Sequence, residues 1–167
     1  MLPVLVAFPV FSLLLILQSA VLGRVPLIMG TADLVMLAII AWSLHPRVKS
    51  AWQWGLVGGA LFSYVSALPY ASHLIGYLLV VGFAQILRQR VWQAPLMAMF
   101  FATFVGTLVV QSVDLILLSL SGNPLSWLQA VNLISLPSLL LNLLFAVPAY
   151  AVFGDLANWL HPEQLEM

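Results

Sequence analysis

Long apolar stretches alternate with short polar breaks along the whole chain. A transmembrane helix needs about 20 mostly apolar residues, and the breaks are rich in Gly, Pro and charged residues, as in GRVP, HPRVKS and SGNP. The pattern predicts an all-α membrane protein, a compact six-transmembrane-helix bundle forming a single integral membrane domain over residues 1–167. The helices are expected at about 4–22, 31–45, 51–67, 73–88, 95–121 and 131–157, and the second is short.

Composition supports the membrane assignment. Hydrophobic residues make up 63% of the chain and charged residues 6%, so too few charges exist to cover the surface of a soluble domain. The net charge of zero provides no basic field for nucleic acid. Cysteine is absent, which excludes disulfides and Cys-ligated metals. The apolar N-terminus lacks a basic region and is too long for a signal peptide, so we expect a retained helix.

Basic residues are distributed unevenly among the predicted loops. With six spans, Arg47, Lys49, Arg88 and Arg90 lie on the side of the termini and Arg24 on the opposite side. The positive-inside rule therefore predicts cytoplasmic termini. Tryptophans are expected at the membrane interfaces. Those predicted near the cytoplasmic interface are Trp42, Trp52, Trp54, Trp92 and Trp159, and Trp127 marks the outer one.

The fifth and sixth helices each carry one polar stripe. Each set lies within about 80° on a helical wheel. The stripes are Thr103, Thr107, Gln111, Asp114 and Ser121 on the fifth helix, and Ser135, Ser138, Asn142, Ala146 and Ala149 on the sixth. Because the two helices are antiparallel neighbours, the stripes are expected to face each other. Matching depths predict contacts of Asp114 with Ser138 and of Gln111 with Asn142.

Asp114 is flanked by aliphatic residues. Because a carboxylate in hydrocarbon is energetically costly, we expect it to have a specific role. It can bind helices together, anchor a helix of another protein, or serve as a proton or substrate site. The breaks at Pro137 and Pro148 leave a similar choice. They can mark the broken helix of a transporter or a helix that wraps a small bundle.

Catalytic chemistry is not evident in the sequence. His45, His73 and His161 fall at loops or helix ends on different elements, and no HExxH, GxSxG or P-loop motif occurs. We therefore expect no catalytic, cofactor or metal site, and no enzyme. Asp33 lies in the first turn of the second helix, where a negative charge suits the helix dipole, and it can also pair with Arg24.

Small residues make the third helix smooth at Gly55-x-x-x-Gly59. Such faces let helix backbones approach closely. Internal packing and docking of a partner helix are both consistent with this pattern.

Four segments stand in a characteristic order along the chain. They are LLLILQSAVLGRV with Gln18, GTADLVMLAIIAWSL, the Gly-rich WGLVGGALFSYVSALPYASHLIGYLLV, and LPSLLLNLLFAVPAY with Pro137 and Asn142. In this order they resemble the MreD family of bacterial rod-shape-determining membrane proteins. The resemblance runs nearly end to end. Many relatives carry an acidic residue where this chain has Ser63-Tyr64, so a role for that carboxylate does not transfer.

The resemblance implies a non-enzymatic scaffold of the cell-elongation complex in the bacterial cytoplasmic membrane. The implied partners are MreC, a single-pass membrane protein, then RodA, a class B penicillin-binding protein and, indirectly, MreB. The role implied is support of lateral peptidoglycan synthesis and cell shape.

MreD-like chains also resemble the six-helix substrate-binding subunits (S-components) of energy-coupling factor vitamin transporters. The alternative function is therefore solute capture in a cavity using Tyr70, His73 and Trp127. Those subunits often carry an Ala-x-x-x-Ala face on the first helix, whereas this chain has only Ala7 and Ala20 there, which weakens the alternative.

Overall fold

The computed structural model describes residues 2–20, 30–66, 68, 71–90, 94–122 and 131–161. The α-helices in these ranges are α1 (Leu2–Ala20), α2 (Leu34–Leu44), α3 (Ala51–Val65), α4 (Ala71–Arg90), α5 (Pro95–Leu120) and α6 (Leu136–Leu160). A π-helical turn at Val131–Ser135 leads directly into α6. The expected all-helical architecture is confirmed for this part of the chain.

Within the part of the chain that the structure describes, four segments are long and apolar enough to cross a membrane. They are Pro3–Ala20, Ala71–Arg90, Pro95–Leu120 and Val131–Leu160. Their surfaces expose large apolar side chains such as Leu13, Ile86 and Leu144, a surface that suits lipid and not water. The chain therefore has the character of a membrane protein.

The second predicted span is instead a short internal helix. α2 has 11 residues, which gives a length of about 16 Å at 1.5 Å per residue, about half the thickness of the hydrocarbon core. All residues from Val35 to Leu44 are buried. A helix that is apolar on every side suits either lipid or the interior of a protein, and α2 lies in the interior because it contacts each of the other five helices.

Two tryptophans that were predicted at the interface, one on α2 and one on α3, lie in the core. Trp42 and Trp54 are both fully buried, and their rings stack with centroids 3.9 Å apart and planes at 11°. Their indole N–H groups donate to Ser50 Oγ at 3.2 Å and to the Pro3 carbonyl at 2.9 Å. Partners within the protein replace the interfacial water that tryptophan otherwise seeks. Trp52 and Trp159 are exposed, and Trp92 and Trp127 lie outside the described residues.

The smooth face of α3 packs against α4. A Cβ added at Gly59 would lie 2.9 Å from Leu74 Cα, and one added at Gly55 would lie 2.7 Å from Val81 Cγ2. These two glycines are therefore internal packing residues. Of the two interpretations that the sequence left open, the structure favours internal packing over docking of a partner helix, because α4 covers this face.

The two prolines of α6 occupy different positions in the helix. Pro137 stands in the first turn, just after the π-helical turn, and Pro148 lies inside the helix. A proline ring clashes with the carbonyl of residue i−4 in a regular α-helix, and the wider π-helical turn before Pro137 relieves that crowding. Gly30 packs directly on Pro137, since an added Cβ there would clash with the proline Cβ.

Candidate functional site: a polar cavity at the start of the buried helix

Asp33 caps the N-terminus of α2. Its Oδ1 accepts a 2.9 Å hydrogen bond from the backbone N–H of Met36, in the usual position of an N-cap side chain. The Tyr77 hydroxyl from α4 lies 2.9 and 2.8 Å from the two carboxylate oxygens and donates to them. The carboxylate therefore joins the start of α2 to α4. The alternative partner Arg24 lies outside the described residues.

Three further side chains bind backbone N–H groups at the start of α2. Gln18 Oε1 accepts from Leu34 at 3.0 Å, and Asn142 Oδ1 accepts from Asp33 at 2.7 Å. Ser138 Oγ accepts from Thr31 at 3.1 Å. The first N–H groups of a helix have no partner within the helix, and leaving such a group unpaired in a buried site costs about 1–3 kcal/mol.

Asn142 continues the network into α5. Its Nδ2 donates to Thr107 Oγ1 at 3.0 Å, and the Thr107 hydroxyl donates to the Thr103 carbonyl at 2.8 Å. Asn142 and Thr107 are 2% exposed and Thr103 is fully buried. One amide thus connects α2, α5 and α6 through both of its polar atoms.

A cavity of about 250 Å³ opens beside this network. We call it the polar cavity. Its walls include Asp33, Asn142, Gln111, Asp114, His73 and Ser138. The polar stripes of α5 and α6 therefore meet at the cavity, as their facing positions predicted.

The two contacts predicted between the stripes are not hydrogen bonds in the structure. Ser138 and Asn142 bind the backbone before α2. Gln111 Oε1 and Asp114 Oδ1 are buried with no hydrogen-bond partner. The prediction failed because it treated α5 and α6 as a direct pair, whereas the start of α2 takes the acceptors of α6.

His73 lines the polar cavity. From the sequence it was expected at a loop or helix end and, under the solute-capture alternative, in a cavity. It is 5% exposed, and its ring stacks on Phe62 with centroids 4.2 Å apart. Its Nδ1 lies 3.1 Å from Ser72 Oγ, and its Nε2 lies 4.0 Å from Asp114 Oδ2. His73 stands about one turn before Tyr77 on α4, and this spacing, which puts the two rings on the same side of the helix, was the available signal. Tyr70 and Trp127 lie outside the described residues.

The opposite end of α2 is held by a cation. Arg88 of α4 donates to the carbonyls of Ser43, His45 and Val48 at 3.4, 3.1 and 3.0 Å. A positive group at a helix C-terminus complements the helix dipole and satisfies carbonyls that lack helical partners. Asp33 and Arg88 thus place opposite charges at the appropriate ends of one buried helix.

His45 ends α2 beside Arg88. Its Nε2 lies 3.2 Å from Asn158 Oδ1. Burial lowers the pKa of His45 below its usual value of 6.5, while the hydrogen bond with Asn158 opposes this and the positive charges of Arg47 and Arg88 add to it.

Across the ranges that the structure describes, no three His, Asp or Glu side chains are grouped in a way that could hold a metal ion. No family model, no curated protein and no solved structure matches this chain.

Proposed function

We propose that this protein is a non-enzymatic membrane scaffold and regulator of the bacterial cell-elongation (rod) complex, located in the cytoplasmic membrane with both termini cytoplasmic. The family resemblance implies MreC as the direct partner. The further partners that the resemblance implies are RodA, its class B penicillin-binding protein and, indirectly, MreB.

The observation that best supports this proposal is that the interior polar side chains bind the backbone of the buried helix α2. Gln18, Asp33, Asn142 and Ser138 bind backbone N–H groups at the start of α2, and Arg88 binds carbonyls at its end. These groups stabilise a rigid core, which is what a docking platform requires. A catalytic role would instead need such groups to be directed at a reacting atom.

Docking is expected on an outward face, since α4 covers Gly55 and Gly59. The lipid-exposed candidates are the face of α1 around Leu13, 65% exposed, and the face of α6 around Leu144, 70% exposed. A single-pass helix can bind such a face by close van der Waals packing. Packing must supply the attraction, because lipid provides no hydrophobic driving force between helices.

The test is photo-crosslinking in cells that express the rod complex. A photoreactive amino acid is placed at Leu13 in one variant and at Leu144 in another, and the adducts are identified by mass spectrometry. The proposal predicts an MreC adduct from one position and a much weaker one from the other, so each variant controls for the other. Adducts with a transporter ATPase or its membrane partner, and none with rod-complex proteins, would contradict it.

The polar cavity is the feature that bears on the alternative, a solute-binding subunit. At about 250 Å³ it is slightly smaller than the roughly 300–1,000 Å³ of typical ligand pockets. Under the solute-capture alternative, the crosslinking experiment returns the energising subunits of a transporter, which separates the two functions.

A further inference from the structure

The polar cavity contains hydrogen-bond acceptors that the described residues do not satisfy. Asp114 Oδ1 and Gln111 Oε1 are buried without a partner, and both residues line the cavity. Leaving a buried acceptor unpaired is unfavourable, and more so when the group is charged. The stability of the bundle alone does not explain these two atoms, whereas Asp33 and Asn142 have clear structural partners.

The charges around the cavity favour a cation. Asp33 and Asp114 are both part of its wall. Arg88, by contrast, binds the far end of α2, about 16 Å away along the helix. An anionic group would therefore meet two carboxylates, while a cation would meet complementary charge.

Two apolar grooves lie next to the cavity, between α5 and the π-helical turn, and share lining residues with it. One, of about 100 Å³, is lined by Leu115, Leu118 and Ile134 and includes Gln111 and Asp114. The other, of about 110 Å³, shares Gln111 and Leu115 and continues along α6.

Residues of the π-helical turn line both grooves: Ile134 and Ser135 in one, and Val131 and Ser135 in the other. An acceptor-rich cavity beside hydrocarbon-lined grooves has the composition of an amphiphile site.

We propose that the polar cavity and its two grooves bind an amphiphile with a primary ammonium head and a hydrocarbon chain. The ammonium group has three donors and no acceptor, and it binds Asp114 Oδ1 and Gln111 Oε1. The chain lies in a groove beside Leu115. This inference does not depend on the scaffold function: its failure would leave the partner proposal intact, and the converse also holds.

The experiment uses the full chain purified in a neutral detergent and native mass spectrometry to measure dissociation constants. The probes are dodecylamine, dodecanoic acid, dodecanol and ethanolamine. The proposal predicts saturable one-to-one binding of dodecylamine, with each of the other three probes at least about tenfold weaker. This factor corresponds to about 1.4 kcal/mol, near the lower limit for a hydrogen bond to a charged group.

Variants locate the site. Asp114→Asn is expected to weaken dodecylamine binding about tenfold or more, whereas Asp155→Asn, at an exposed acid on α6, leaves it unchanged. Gln111→Leu removes the second acceptor without changing the charge. It keeps the test decisive if size-exclusion chromatography shows that Asp114→Asn is not folded. Equal binding by wild type and the cavity variants would overturn the proposal. Dodecanoic acid or ethanolamine binding as tightly as dodecylamine would overturn it as well.

Discussion

The backbone N–H of Asp33 donates a 2.7 Å hydrogen bond to Oδ1 of Asn142, 109 residues further along the chain. This bond joins the start of the buried helix α2 to the second turn of α6. It also places the Asp33 carboxylate so that it caps α2 and accepts from Tyr77. The buried polar side chains of this protein therefore serve primarily to hold both ends of α2.

Asn142→Leu is expected to destabilise the protein. The change leaves the Asp33 N–H unpaired and removes the donor to Thr107 Oγ1, and a buried unpaired group costs about 1–3 kcal/mol. The measurement is the midpoint of thermal unfolding in detergent, followed by size-exclusion fluorescence. Asn132→Leu is the matched control, because Asn132 is exposed on the π-helical turn. Equal midpoints for the two variants would show that the amide contributes nothing.

Gly59→Ala tests the contact between α3 and α4. The new methyl group would lie 2.9 Å from Leu74 Cα, a backbone atom that cannot move independently. Overpacking of this kind costs about 1–3 kcal/mol. Gly154→Ala is the control, since nothing lies within 4 Å of a Cβ at Gly154. A loss of stability at Gly59 but not at Gly154 is expected in the same unfolding assay, and the reverse order would refute the packing model.

Arg88→Gln is expected to loosen the C-terminal end of α2. The change removes a charged donor that binds three carbonyls, and hydrogen bonds to charged groups contribute about 1.5–3 kcal/mol. Arg90→Gln is the control, because Arg90 is exposed on the same helix. The expected result is faster proteolysis in the segment from His45 to Ser50 for Arg88→Gln only. Similar cleavage of both variants would argue against this role for Arg88.

His45 gives the protein a pH dependence of defined sign. Because burial lowers its pKa below 6.5 in the folded protein, the unfolded chain takes up the proton more readily. Its stabilising contribution is therefore complete above about pH 6.5 and declines as the pH falls towards the folded pKa. We expect the unfolding midpoint of wild type to fall more than that of His45→Gln between pH 7.5 and pH 5.5. Parallel curves for the two proteins would contradict the assignment to His45.

Helical periodicity predicted most of the residues of α5 and α6 that face the interior, although Ser121 at the end of the predicted stripe is exposed. Thr103, Thr107, Ser138 and Asn142 are buried as expected, and Asp114 lines the cavity. The wheel shows which side of a helix is polar, but not what lies opposite. It could not show that the start of α2 lies between these helices, so the predicted pairs were wrong.

Length and apolarity misled the prediction for α2 in a different way. The segment LVMLAIIAWSL is apolar on every side, and this feature is shared by lipid-exposed and fully internal helices. Only its 11-residue length separates the two cases. Trp42 was assigned to an interface for the same reason, because that rule presumes that the helix end reaches the membrane surface.

The contacts that two site residues make could be found only in three dimensions. Gln18 was singled out through the family resemblance, but its role as an acceptor for Leu34 depends on how α1 crosses α2. His73 has an ordinary place near the start of α4, and its proximity to Asp114 arises from the packing of α4 on α5. Contacts between distant segments of this kind leave no periodic signal in a single sequence.

The most direct test of the central claim is hydrogen–deuterium exchange of the backbone amides at the start of α2, compared between wild type and Gln18→Leu. In wild type the Leu34 N–H binds Gln18 Oε1 at 3.0 Å and should exchange slowly. The account predicts that the substitution accelerates exchange in peptides covering residues 33–37, while peptides from the middle of α5 remain protected. Unchanged exchange at residues 33–37 would show that the interior polar groups do not hold this helix.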